Sequence, residues 1–88
     1  MPDNQVALSD LELGEAGVID NICLTPAAQG FLMRFGFLPR ADVRLLRRAP
    51  HGDPSVYSID GSEVALRRET ARHILISRIQ PPQERELP

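Results

Sequence analysis

Only one stretch of this sequence can sustain a helix of more than a single turn, and that limits the fold class more than any other feature. Thr25 is a suitable N-cap, and Pro26 suits the first helical position, where its missing N–H does no harm. Ala28, Phe31, Leu32 and Phe35 follow at i, i+3, i+4 and i+7, a single apolar stripe expected to face the core. Gly36 is placed to leave the helix in a left-handed conformation, and Pro39 prevents its resumption. Gly30 inside the helix costs about 1 kcal/mol relative to alanine, which points to a close approach by another backbone.

The rest of the chain reads as β-structure. Residues 17–23, 42–49, 56–59, 63–66 and 74–79 are short runs rich in Val, Ile, Leu and Tyr, separated by turn residues. Asp60-Gly61 is the strongest hairpin signal and suits a tight type I′ turn. Pro50-His51-Gly52-Asp53-Pro54 is a second turn, because its prolines cannot donate to a ladder. Ser9 with Glu12 fits a capping box, so one helical turn is expected there, ended by Gly14. Residues 68–73 are polar and compatible with another single turn. A flat five-stranded antiparallel sheet would leave two edges exposed, and curling shields them.

The predicted fold is therefore mainly β: a small five-stranded SH3-like barrel with one inserted α-helix, an OB-type barrel being the nearest rival. The expected core is Leu13, Val18, Ile19, Ile22, Phe31, Leu32, Phe35, Val43, Leu45, Val56, Val64, Leu66, Ile74 and Ile76. The domain is expected over residues 7–79. Residues 1–6 are read as a flexible N-terminal tail and the proline-rich residues 80–88 as a disordered C-terminal tail.

Composition narrows the function. In 88 residues there is room for one small domain, and a barrel of this size fills its interior with its own side chains. No nucleophile elbow, P-loop, dinucleotide-binding glycine motif or His-Glu-x-x-His is present, so no enzyme and no cofactor are expected. All ten basic side chains are arginine, which invites a nucleic-acid reading. The formal charge of −2 opposes it. Strand alternation would also send Arg44 and Arg48 to one face and Arg47 to the other. No nucleic-acid partner is expected. His51, Asp53 and Cys23 are weak candidates for metal ligation, since no two ligands share a metal-binding spacing. Cys23 is read as a small buried hydrophobe. The acidic start and the absence of ~18–20 consecutive apolar residues lead to a cytoplasmic expectation.

A family resemblance emerges from the order of particular residues. Ile19-Asp20-Asn21-Ile22 precedes Phe31-Leu32-Met33-Arg34-Phe35-Gly36-Phe37-Leu38-Pro39. Arg48-Ala49-Pro50-His51-Gly52-Asp53-Pro54 and then Ala65-Leu66-Arg67-Arg68 follow the next strands. Over residues 8–79 this order resembles the ferrous iron transport protein A (FeoA-like) family of small cytoplasmic SH3-like barrels. The same module resembles the C-terminal domain of iron-dependent repressors. Phe35 stands where the family usually has leucine, and Arg40 where it usually has glycine. A residue with a Cβ at a positive-φ position there would cost about 1 kcal/mol or more.

The resemblance implies a non-enzymatic accessory protein of ferrous iron uptake. Its implied partner is the cytoplasmic GTPase region of the membrane iron transporter, ferrous iron transport protein B, and it would meet the membrane only through that transporter. The alternative is a stand-alone SH3-like regulatory domain in metal-dependent transcriptional control. Two surfaces are candidate partner sites: an apolar patch of Met33, Phe37 and Leu38, and the hairpin tip with Pro50, His51, Asp53 and Pro54. An exposed patch or an unpaired edge strand would favour self-association.

Overall fold

The computed structural model describes residues 5–79. Six strands form one antiparallel sheet: β1 (Gln5–Ala7), β2 (Ala16–Ile22), β3 (Asp42–Arg48), β4 (Ser55–Ile59), β5 (Ser62–Leu66) and β6 (Ile74–Ile79). A 3₁₀ turn spans Leu8–Asp10, and two helices, α1 (Pro26–Met33) and α2 (Arg68–Ala71), complete the elements. The sheet order is β1-β6-β2-β3-β4-β5. The five expected strands are present within a residue or so at each end. The sixth, β1, includes Gln5 and Val6 of the expected N-terminal tail, which pair with Ser77 and Ile76 of β6. The result is an unclosed six-stranded sheet in place of the five-stranded barrel. Residues 1–4 and the expected C-terminal tail lie outside the described residues.

A single sheet can enclose a core only if it bends, and two irregularities in the ladders bend it. In β2 the register with β6 shifts between Ile19 and Asn21, leaving Asp20 as the extra residue. In β3 the register with β4 shifts between Leu45 and Arg47, leaving Leu46 extra. Each shift resets the inward–outward alternation. Val43 and Leu45 point into the core. Past Leu46, however, Arg47 shares the exposed side with Arg44, and Arg48 is half-buried opposite Ser55. The simple alternation, which grouped Arg44 with Arg48, fails for this reason.

The turns follow the sequence chemistry. Asp60 (φ 48°) and Gly61 (φ 83°) form the β4–β5 hairpin, both left-handed as a type I′ turn requires. Arg40 has φ 75°, a strained value for a side chain bearing a Cβ. Its N–H donates to the Ile19 carbonyl at 2.7 Å and the Ile19 N–H to the Ala41 carbonyl at 2.9 Å, which holds the turn in place. The expected capping box does not form. The 3₁₀ turn is capped at Ala7 without a side-chain bond, and the Glu12 N–H is taken by the Glu15 carboxylate at 2.8 Å.

The core contains Ile19, Leu32, Val43, Leu45, Leu66, Ile74 and Ile76 as expected, together with Leu8, Leu11, Phe37, Tyr57, Ile59 and Ala71. Burial raises the Tyr57 phenol above its ordinary value of 10.0, so it enters the core as a neutral hydroxyl. Leu13, Phe31 and Phe35, expected inside, are exposed. The close backbone approach inferred for Gly30 occurs at Gly17 instead. A Cβ there would lie 2.6 Å from Ile76 Cδ1 and 2.9 Å from the Ser77 carbonyl oxygen, whereas nothing lies within 4 Å of one at Gly30.

Two glycine substitutions should therefore act in opposite directions in urea unfolding followed by circular dichroism. Gly17→Ala is expected to lower stability by about 1–3 kcal/mol, because the Ser77 backbone must shift. Gly30→Ala is expected to raise it by up to about 1 kcal/mol. Equal effects at the two positions would contradict the packing described.

Candidate interaction surface

The site is built on α1 and the turn that ends it. Thr25 caps the helix by accepting the Ala28 N–H at 3.2 Å, and Gln29 Nε2 donates to the Leu24 carbonyl at 2.8 Å. At the other end the Phe37 N–H bonds the Leu32 carbonyl at 3.2 Å and the Gly36 N–H bonds the Met33 carbonyl at 3.1 Å. With Gly36 at φ 100°, this is a Schellman motif, whose accompanying apolar contact joins Leu32 and Phe37 in the core. The left-handed residue thus sends Phe37 inward. Phe37 is fully buried and offers no docking face, which corrects its assignment to an exposed patch.

The same turn leaves the other apolar side chains outside. Leu32 is the one buried residue of α1, so the helix meets the sheet along a single line. Phe31 is 57% exposed and Phe35 41% exposed. Their rings stack edge to face, with centroids 5.1 Å apart and planes at 65°. Pro26, Ala27, Gly30 and Arg34 continue this surface as a shallow groove beside Phe31. Met33 and Leu38, both expected at the surface, are exposed at 46% and 43%. Met33 faces a different feature, a cleft of about 200 Å³ between α1 and β2 that Ile19, Ile22, Phe37 and Pro39 also line. Reading Ala28, Phe31, Leu32 and Phe35 as one core stripe missed the aromatic pair. The Leu32–Phe37 spacing around Gly36 was the signal that could have found it.

Asp20 and Asn21 stand on the rim of that cleft. The Asp20 carboxylate accepts the Ser77 hydroxyl and, at 3.0 Å, Gln5 Nε2, so it joins the bulge of β2 to β6 and β1. The Ser77 bond above all, then the Gln5 bond, holds its carboxyl below the ordinary 3.8.

The hairpin tip is a separate surface. Pro50, His51, Asp53 and Pro54 are exposed. Asp53 Oδ1 accepts the Arg68 N–H at 2.8 Å and fixes the tip to the start of α2. Cys23, expected to be buried, is exposed at the end of β2. Among the described residues no three His, Cys, Asp or Glu side chains come together in a way that could hold a metal ion. No helix among them is long and apolar enough to cross a membrane.

Comparison with known proteins adds a family to this geometry. The FeoA domain matches residues 6–78. The FeoA protein from Chlorobium tepidum superposes with a TM-score of 0.82 at 28% identity, over 89% of this chain and 74% of that one. Stenotrophomonas maltophilia FeoA, a prokaryotic SH3 domain protein complexed with zinc, superposes with a TM-score of 0.71 at 25% identity, over 82% of this chain and 89% of that one. A manganese-dependent transcriptional repressor matches with a TM-score of 0.78 at 20% identity, over 90% of this chain and 44% of that one, a likeness of fold alone. No curated protein sequence matches the chain significantly.

The Asp20 cluster makes a pH prediction. A carboxyl held below 3.8 favours the folded state when ionised. Its contribution is complete above the unfolded value and is lost as pH falls through the lowered folded value. Asp20→Asn is expected to melt earlier than wild type at pH 6, and the gap between them should shrink below about pH 4. A gap that does not vary with pH would remove the carboxylate from this role.

Proposed function

The chain belongs to the FeoA domain family, and from that membership we propose that it is a non-catalytic accessory protein of ferrous iron uptake. Its partner is the cytoplasmic GTPase region of the membrane iron transporter, and its docking surface is the outer face of α1. The Phe31–Phe35 pair carries this reading: two stacked aromatic rings left in water on a helix that uses Leu32 for its own attachment. Aromatic side chains are the commonest anchors of protein interfaces, and covering apolar surface yields roughly 25 cal/mol per Å². A helix capped at both ends presents them with little ordering cost on binding. Arg34, beside Phe31 in the same groove, adds a planar cation suited to a carboxylate of the partner.

A role near the membrane without catalysis also suits the interior of the sheet, which its own side chains fill. The name of the Stenotrophomonas relative links that protein to activation of bacterial ferrous iron transport. The repressor likeness does not favour a second reading, because the formal charge of −2 is poorly matched to a phosphate backbone.

Binding to the soluble GTPase region, measured by titration calorimetry, tests the reading. Phe31→Gln with Phe35→Gln is expected to weaken association by at least about tenfold while the circular dichroism spectrum is unchanged, since both rings lie outside the core. A deletion strain should regain iron uptake from wild type and not from the double variant. No association of the wild type at high micromolar concentration, or full complementation by the double variant, would refute it.

A further inference from the structure

We infer that β5 pairs antiparallel with β5 of a second copy about a two-fold axis at Val64, joining two sheets into one. β5 ends the strand order and is bonded on one side to β4. Natural edges are blunted by brevity, proline, bulges or charge. β1, at the other end, is only three residues long. β5 has five residues, no proline and no register shift against β4. Its one charged side chain, Glu63, is already paired with Arg47 at 2.8 Å.

The hydrogen-bond parity of the strand selects the axis. The two-residue Asp60–Gly61 turn closes on Ile59 and Ser62, a pair that exchanges hydrogen bonds. Bonded and non-bonded pairs alternate along an antiparallel ladder, so Tyr57–Val64 and Ser55–Leu66 are bonded too. The N–H and C=O groups of Glu63 and Ala65 therefore point away from β4. No turn, loop or inter-element backbone bond among the described residues uses them.

A two-fold axis at Val64 sets Glu63 of each copy opposite Ala65 of the other, the arrangement in which those outward groups exchange their bonds. The side chains agree with it. No like charges are directly opposed, and the half-buried Val64 meets its own copy, a favourable β-branched pair. The same register continues the basic start of α2, at Arg67 and Arg68, toward the acidic Asp60 turn of the other copy.

Sedimentation equilibrium tests the pairing, independently of the transporter reading. Wild type is expected to show a weak dimer, with a Kd on the order of 10–100 µM, as suits a small interface. Ala65→Pro removes an outward N–H without touching the β4 ladder, and it should weaken the dimer at least tenfold while circular dichroism confirms folding. In a Cys23→Ser background, Val64→Cys should form a disulfide-linked dimer on oxidation. Ala65→Cys, which faces Glu63 of the second copy, should not. Should Ala65→Pro fail to fold, the cross-linking contrast decides alone. A wild type monomeric to about 1 mM, a dimer indifferent to Ala65→Pro, or equal cross-linking at 64 and 65 would overturn the inference.

Discussion

The fold depends on a single sheet having to cover its own apolar face. Among the described residues there is no second sheet for it to lie on, and α1 contributes only Leu32 to the interior. Burying Tyr57, Ile59, Val43 and Leu45 from the middle strands against Ile19, Ile74 and Ile76 requires the sheet to turn sharply along its length. The extra residues Asp20 and Leu46 supply that turn on adjacent strands. Gly17 supplies the rest, because only a residue without a side chain lets β2 lie so close to Ile76 and Ser77 of β6.

Bending leaves one end of the core open, and the segment between β1 and β2 closes it. Leu8 and Leu11 insert there and are almost completely buried. Three arginines hold the segment down. Arg48 donates to the Leu11 carbonyl at 2.8 Å, Arg78 to the Asp10 carbonyl at 3.1 Å, and Arg44 to the Gly14 carbonyl. Arg78 also pairs with Glu15 at 3.4 Å. Carbonyls of irregular backbone need donors that reach across from the strands, and the guanidinium fork, which carries several donors in fixed geometry, suits this task better than an ammonium. The all-arginine composition thus has an internal use for three of the ten: Arg44, Arg48 and Arg78 spend their charge on hydrogen bonds within the fold.

Local chemistry was legible where a single residue type dictates the backbone. Thr25, Pro26, Gly36 and the Asp60–Gly61 pair act as their conformational preferences require. The order of residues from Ile19 to Arg68 was enough to identify the family. Features that depend on partners distant in sequence were not legible. β1 is too short to show alternation and exists because β6 lies beside it. The two bulges change which face a residue occupies, and no composition signal marks Asp20 or Leu46. For α1 the apolar spacing was visible, but spacing cannot say which flank of a helix the sheet will cover. The candidate surface was accordingly half legible: Met33 and Leu38 were placed outside, Phe37 was placed outside and lies inside, and the aromatic pair was placed inside and lies outside.

The thin attachment of α1 has a consequence for how such a chain changes over time. Residues that hold the sheet together and residues that face outward from the helix are disjoint sets, and the two buried side chains that tie α1 to the sheet, Leu32 and Phe37, belong to the first. Substitutions at Phe31, Arg34 or Phe35 carry little penalty in folding, so selection can act on them for recognition alone. The bent sheet can then remain constant while the helix is retuned to follow a drifting partner.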